Sequence, residues 1–184
     1  MDMIFCPLYS GSSGNALFVQ YGATRLLIDA GKPGKTVASA LELIGVEPAS
    51  LDGVLITHEH SDHIAGAGVL CRRYRVPVYA TEDTWRAMDG KVGEIPPGLR
   101  RTFDKRQDFY LGDIGVVPFA IPHDAADPVG YRLWGGQASA AGSVPGDGPV
   151  GDLDGRAHER LVPAQERGPV AAGGAGAVRR AGPV

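Results

Sequence analysis

One short stretch limits what this chain can fold into more than any other: the hexapeptide His-Glu-His-Ser-Asp-His at residues 58–63. It holds three of the five histidines of the 184-residue chain and directly follows an apolar run at 54–56. Histidines present by chance in a polar loop would rarely cluster in this way. Imidazole nitrogen and carboxylate oxygen are ligands that bind zinc in proteins. The stretch therefore predicts a metal site directly after a buried strand.

The order of these residues indicates two neighbouring metal positions. If the strand ends near Thr57, alternation of side chains places His58 and His60 on the same side. A turn after His60 then brings Asp62 and His63 round to a second, adjacent position. Two adjacent ligand sets are what a two-metal hydrolytic site requires.

Four segments together resemble the metallo-β-lactamase superfamily and, within it, the YycJ/WalJ-like branch of bacterial hydrolases. They are Ser-Gly-Ser-Ser-Gly-Asn at 10–15, Leu-Leu-Ile-Asp-Ala-Gly at 26–31, the histidine motif, and Pro-His-Asp-Ala-Ala-Asp-Pro-Val-Gly-Tyr at 122–131. The resemblance implies an α/β fold, the αββα sandwich of that superfamily. Its first half would lie in residues 1–135, and its second half would be missing or disordered.

The same resemblance implies the ligands. His58, His60 and His123 would hold a first metal ion, and Asp62 and His63 a second. Asp62 would also help to position the attacking hydroxide, which makes it the catalytic candidate. The intact family would hold two divalent ions, with zinc the first choice and manganese or iron the alternatives.

Four acidic residues near these ligands allow more than one interpretation. Asp29 could bind metal, support a histidine from behind or merely end a strand, and we favour the supporting role. Asp124 is assigned a similar supporting role, although both Asp124 and Asp127 could instead cap a loop. Glu59 is expected to point away from the metals, because its neighbours on both sides point towards them.

By resemblance the substrate would be nucleic acid, and the leading function is a DNA exonuclease-like phosphodiesterase that uses a metal-activated hydroxide. Ser12, Ser13 and Asn15 are candidates for phosphate contacts, with a plain hairpin turn as the alternative. The arginines at 72, 73 and 75 could form a basic patch or simply stay solvated. The alternatives are a hydrolase of another ester, thioester or lactam, and a non-catalytic metal-binding remnant.

Composition agrees with an enzyme domain but would not identify one. A hydrophobic fraction of 43% over 184 residues suffices for one core, and the net charge of −3 gives no overall basic field for nucleic acid. Without a signal-peptide pattern or a long apolar run, we expect a cytoplasmic protein with no membrane association and no obligate protein partner. Cys6 and Cys71 are isolated, which predicts free thiols and a buried Cys71.

Apolar periodicity predicts alternating strands and helices without an internal repeat. One helix is indicated by apolar residues at 37, 40, 41 and 44, which fall on one helical face. Further helices are predicted at 64–74 and around 85–88, capped by Thr81 or Asp83. Strands are predicted at 3–9, 16–21, 25–29, 54–57, 76–80, 112–121 and 129–134.

The chain changes character near residue 136. Gly, Ala and Pro supply 26 of the last 49 residues, and no Phe, Tyr, Trp, Ile, Met or Cys occurs there. Such a segment has little apolar surface to offset its ordering entropy, so residues 136–184 are predicted to be a disordered tail. A frameshifted translation, a truncated copy or a partner-binding tail would also explain it. Asp147, Asp152, Asp154 and His158 follow no convincing strand and are not ligand candidates.

The missing second half has two expected consequences. Without its ligands, this chain should hold one metal ion instead of two. Half of a sandwich would also expose the inner face of its sheet, including parts of the strands at 26–28 and 54–56. Exposed apolar faces and open strand edges promote association, so we expect the chain to aggregate.

Overall fold

Two β-sheets with helices on one side make up residues 2–136, the part of the chain that the computed structural model describes. The strands are β1 (Ile4–Tyr9), β2 (Ala16–Tyr21), β3 (Thr24–Ile28), β4 (Gly53–Leu55), β5 (Val78–Ala80), β6 (Arg100–Thr102), β7 (Phe109–Leu111), β8 (Ile114–Ala120) and β9 (Val129–Gly135). The helices are α1 (Gly34–Leu43), α2 (Ser61–Ile64), α3 (Ala67–Tyr74) and α4 (Glu82–Ala87), with 3-10 turns at Pro48–Ser50 and Pro97–Leu99.

The larger sheet has six strands in the order β1-β2-β3-β4-β5-β6. Strands β1, β2 and β3 pair antiparallel, whereas β3, β4, β5 and β6 pair parallel. The smaller sheet, β7-β8-β9, is antiparallel throughout. Because β3 and β4 run parallel, the residues that follow them emerge at the same sheet edge. That edge carries Asp29 and the histidine motif.

Alternate residues of β3 and β4 enter two different apolar layers. Leu27 and Val54 pack in a cluster with residues of α1 and α3, whereas Leu26 and Leu55 pack in a second cluster with β8 and β9. All four side chains are fully buried. Burying each one contributes about 1.5–3 kcal/mol. The larger sheet is therefore covered on both faces at its centre.

This arrangement contradicts the expectation that the inner face of the sheet is exposed. Residues 26, 27, 54, 55 and 56 are each 0% exposed. The apolar residues of β7, β8 and β9, among them Ile114 and Val116, lie before the predicted tail and supply the missing cover. The exposed large apolar side chains of the described residues are scattered at Ile4, Phe5, Leu43, Ile44, Val69 and Phe119.

The helix predicted at 64–74 begins later, as α3 at Ala67, and a break separates it from α2, which ends at Ile64. Gly66 lies at the break, and its N–H donates to the carbonyl of Ala30 at 2.7 Å. A side chain at Gly66 would collide with the backbone of Lys32, so only glycine allows this close approach. The division matters because α2 begins immediately after His60 and carries Asp62 and His63.

Strands β6 and β7 were not predicted from the sequence. Of the two predicted caps of α4, Thr81 is the one observed, and its hydroxyl accepts from the Thr84 N–H at 3.3 Å. Both cysteines are free thiols, and Cys71 is buried as predicted. No helix within residues 2–136 is long and apolar enough to cross a membrane. The predicted tail and its acidic residues lie outside the described residues from position 137 onward.

Gly31 offers a test of how closely the site loops are packed. A Cβ atom there would overlap the carbonyl oxygen of Asp62 and lie 2.5 Å from the backbone nitrogen of Asn15. Gly31→Ala is therefore expected to reduce the free energy of unfolding by about 3 kcal/mol, the upper range for overpacking. Chemical denaturation of the full chain measures this. Gly98→Ala is the control, since a Cβ at Gly98 meets nothing within 4 Å, and equal stability of the two variants would contradict the packing argument.

Candidate metal centre

Asp29, the residue after β3, joins the elements that carry the site. Its Oδ1 accepts from the Thr57 N–H at 2.8 Å, and its Oδ2 accepts from the Thr57 hydroxyl at 2.8 Å and from His63 Nδ1 at 2.7 Å. Asp29 is 4% exposed and has a φ of 60°. Aspartate is among the residues that tolerate this left-handed conformation, and three hydrogen bonds offset its cost. These contacts hold Asp29 behind a histidine instead of in the cleft.

The hydrogen bonds of Asp29 also define the tautomers of two histidines. His63 donates from Nδ1 to the carboxylate, so His63 Nε2 keeps its lone pair. The single hydroxyl hydrogen of Thr57 goes to Asp29, so the hydroxyl oxygen accepts from His58 Nδ1 at 2.9 Å. His58 Nε2 therefore also keeps its lone pair. In the neutral ring of each histidine, this free Nε2 is the group that binds a metal.

Three histidines converge in front of this framework. One nitrogen from each of His58, His60 and His123 lies within 4.8 Å of the other two. His60 Nδ1 and His123 Nε2 are 3.3 Å apart, and the ring centroids of His58 and His123 are 4.6 Å apart. His123 reaches this cluster from the loop between β8 and β9, 60 residues beyond the end of the motif.

The chemistry of this cluster fits a metal ion. His58 is 4% exposed, and its Nε2 is buried without a hydrogen-bond partner among the described residues. Burial, followed by the charges of neighbouring imidazoles, lowers the pKa of His58 to about 4. The ring is therefore neutral near pH 7 and offers a lone pair that no described protein group uses. Three imidazole nitrogens with an open position are typical of a catalytic zinc site.

Asp62 and His63 lie together beside the three-histidine cluster and form a second, smaller set of candidate ligands. Asp62 Oδ2 lies 3.5 Å from His63 Nε2, and the rings of His58 and His63 are 4.0 Å apart. Burial opposes protonation of His63, but the hydrogen bond and charge of Asp29 and the charge of Asp62 outweigh it, so the pKa of His63 is raised. The turn predicted after His60 is present as the start of α2.

Asn15 contacts the ligand residues and not only the Gly/Ser loop. Its Nδ2 lies 3.2 Å from His63 Nε2 and 3.4 Å from Asp62 Oδ2. Its Oδ1 accepts from the Gly11 N–H at 3.1 Å, which fixes the side chain in the loop. The structure thus places Asn15 against the second ligand set, although it was predicted as a substrate contact.

The rest of the loop forms the rim of the site. Ser12 and Ser13 are exposed, and the Ser13 hydroxyl accepts from Lys32 Nζ at 2.9 Å. Lys32 also lies over the ring of Tyr9, 5.7 Å from its centroid. Sequence reasoning missed Lys32, although its position directly after the Leu-Leu-Ile-Asp-Ala-Gly segment was a usable signal.

The acidic residues around His123 differ in their contacts. Asp124 is exposed and makes no side-chain hydrogen bond or ion pair with the residues described, so its supporting role stays a prediction. Asp127 forms an ion pair with Lys105, and its carbonyl accepts from the Thr84 hydroxyl at 3.2 Å. Asp127 therefore anchors the loop.

The basic patch considered for residues 72, 73 and 75 has a partly structural role. Arg72 donates to the carbonyls of Val92 and Glu94 at 2.9 and 3.0 Å, so it holds the segment after α4. Arg73 and Arg75 are exposed at the end of α3.

Comparison with known proteins agrees with this geometry. The family model of the metallo-beta-lactamase superfamily matches residues 9–168, most of the chain. The chain belongs to the metallo-β-lactamase superfamily. Over 133 residues it is 44% identical to the exodeoxyribonuclease YycJ of Bacillus anthracis, a match that covers 72% of this chain and 50% of that protein. Over 128 residues it is 43% identical to the exodeoxyribonuclease WalJ of Streptococcus pneumoniae, covering 68% and 48%. The predicted resemblance to the superfamily and its YycJ/WalJ-like branch is confirmed.

Solved structures show the same fold. A metallo-β-lactamase of Cronobacter sakazakii matches with a TM-score of 0.60 at 14% identity, over 70% of this chain and 51% of that one. At this identity the likeness concerns the fold alone, and it confirms the predicted fold class. The chain spans about half the length of the curated relatives it matches.

Asp29→Asn tests whether the carboxylate defines the histidine tautomers. Asparagine also tolerates the left-handed backbone. Its amide nitrogen only donates, however, so it cannot replace Oδ2, which accepts from both the Thr57 hydroxyl and His63 Nδ1. We expect zinc affinity to fall about 10–100-fold, the usual effect of losing a supporting hydrogen bond to a ligand. Zinc competition titrations and imidazole nitrogen NMR measure the affinity and the tautomer. Asp124→Asn is the matched control, and unchanged tautomers in Asp29→Asn would refute the assignment.

Proposed function

We propose that this member of the superfamily is a metal-dependent phosphodiesterase that acts on DNA in the manner of an exonuclease. The observation that carries the proposal is the three-nitrogen cluster of His58, His60 and His123 beside the pair Asp62 and His63. Two relatives at 43–44% identity are named exodeoxyribonucleases, which supports the substrate class. Because the chain spans half of their length, activity and substrate are matters for experiment.

The described residues divide into two ligand groups. His58, His60 and His123 would hold a first ion, and Asp62 and His63 would contribute to a second. When bound, such ions supply an activated water molecule and stabilise the negative charge that develops during hydrolysis. Zinc suits the three-histidine set best, and manganese and iron are the alternatives.

The protein groups around the ions would orient them and the water. Asp62 is partly exposed, at 32% of its side chain, so its carboxylate can accept a hydrogen bond from a water molecule in the cleft. Asp29 holds His63 in one orientation from behind. Asp62 would therefore act on the attacking water, whereas Asp29 would act only through its neighbours.

The rim of the site would bind the phosphate backbone. Lys32 Nζ donates to the Ser13 hydroxyl at 2.9 Å, so an ammonium group lies against the Gly/Ser loop that also carries Asn15. A local positive charge of this kind attracts phosphate although the chain as a whole carries a net charge of −3. Ser12 extends the same exposed surface.

A nuclease assay on the full chain tests the function directly. With zinc or manganese added, the chain should release nucleotides from DNA ends, and His58→Ala should remove the activity. The rate should be well below that of a relative with two firmly held ions, because a second cation stabilises the leaving oxygen. Lys32→Ala should raise KM by about 10- to 150-fold, because a charged hydrogen bond contributes about 1.5–3 kcal/mol.

Lys91→Ala is the control for Lys32→Ala, because Lys91 is an exposed lysine that lies after α4 and not beside the Gly/Ser loop. Equal KM values for the two variants would remove Lys32 from the binding surface. A chain that is inactive on DNA but cleaves a lactam or thioester would refute the proposed substrate. A chain that binds zinc and hydrolyses none of these would be a non-catalytic remnant.

Metal stoichiometry tests the ligand assignment. The first set offers three nitrogens and the second only Asp62 and His63, so one zinc ion should remain per chain after dialysis. His58→Ala should abolish zinc binding, whereas His63→Ala should leave the stoichiometry nearly unchanged. Elemental analysis gives the count, and two tightly held ions in the unmutated chain would falsify this assignment.

A further inference from the structure

Glu59 stands between two candidate ligands but does not share their surroundings. Its side chain is buried, at 8% exposed, and Oε1 accepts from the backbone N–H of Ala126 at 2.9 Å. Oε2 is buried without a hydrogen-bond partner among residues 2–136. Burial of a carboxyl group costs free energy unless its hydrogen bonds are formed. An apolar side chain would fill this buried position without that cost, so the carboxyl group of Glu59 is expected to have a function beyond packing.

The partner of Glu59 belongs to the loop that carries His123. This loop connects β8 to β9. At its ends, the Ile121 N–H donates to the carbonyl of Pro128 at 3.2 Å, and the Val129 N–H donates to the carbonyl of Thr57 at 3.0 Å. Between these ends, the Ala125 N–H donates to the carbonyl of His123 at 3.0 Å. The loop is thus a closed turn that rests on the histidine motif.

His123 itself depends on that loop for its position. The residue is exposed, and within the described residues its side-chain hydrogen bonding is limited to the 3.3 Å contact with His60. Packing does not fix an exposed imidazole, so the backbone of the loop determines where its nitrogen lies. Glu59 contacts that backbone three residues after His123, across a separation of 67 residues in the chain.

We infer that Glu59 is a positioning residue for His123, which rests on the proposed three-histidine metal site. Its Oε1 accepts from Ala126 and holds the loop so that the His123 nitrogen stays with those of His58 and His60. One motif therefore supplies two ligands and, between them, the group that fixes the third. The acceptor oxygen performs this role, and the negative charge of Glu59 does not.

Two variants of similar size separate the acceptor from the charge. Glu59→Gln keeps an oxygen that can accept from Ala126, whereas Glu59→Met fills the buried space without an acceptor. We expect Glu59→Gln to bind zinc as the unmutated chain does, and Glu59→Met to lose about 10–100-fold in affinity. In metal-free protein, amide hydrogen exchange at Ala126 should be faster in Glu59→Met but not in Glu59→Gln.

A double-mutant cycle with His123→Ala separates positioning from general stability. If Glu59 acts through His123, then Glu59→Met should change zinc affinity no further once His123 is removed. An equal loss in both backgrounds would show a merely structural role and would overturn the inference, as would weak binding by Glu59→Gln or full binding by Glu59→Met. If the unmutated chain bound no zinc, the proposed function would fail, and exchange at Ala126 would still decide whether Glu59 holds the loop.

Discussion

The carboxylate of Asp29 is the group on which the rest of the candidate site depends. The parallel register of β3 and β4 pairs Ile28 with Leu55, so Asp29, the residue after β3, comes within reach of Thr57. One carboxylate then accepts three hydrogen bonds from Thr57 and His63. The register of two buried strands thus determines how the imidazole rings are oriented at the sheet edge.

The candidate ligands do not all share this support from Asp29. His58 and His63 are oriented by Asp29, directly or through Thr57, and both lie close to the buried sheet edge. His123 has no such support and is positioned by a loop that contacts the motif. The first set thus combines rigid and loop-borne ligands, and its geometry depends on how firmly the loop is held. Precise metal sites generally need such supporting contacts as much as the ligands themselves.

The sequence predicted the parts of the site that are local in the chain. Ligand spacing at 58–63 is readable because strand alternation and a turn act over a few residues. The contact between Glu59 and Ala126 was not readable from the sequence, because it depends on which loops meet across the fold. The expected exposure of the inner sheet was wrong for a similar reason, since the apolar residues of β8, such as Ile114, could not be assigned to a covering sheet from their periodicity alone. The short strands β6 and β7 carry too few residues for a period to show.

His58 has a buried nitrogen that a bound metal ion would satisfy. His58 holds its Nε2 buried and without a partner in the described part of the chain, and an unsatisfied buried polar group costs about 1–3 kcal/mol. Burial also keeps this ring neutral, with a pKa of about 4, so no proton competes for the nitrogen near pH 7. Binding of an ion would satisfy that nitrogen without displacing a described hydrogen bond. The buried, neutral nitrogen of His58 would therefore favour metal binding, since metal binding and folding share one free energy.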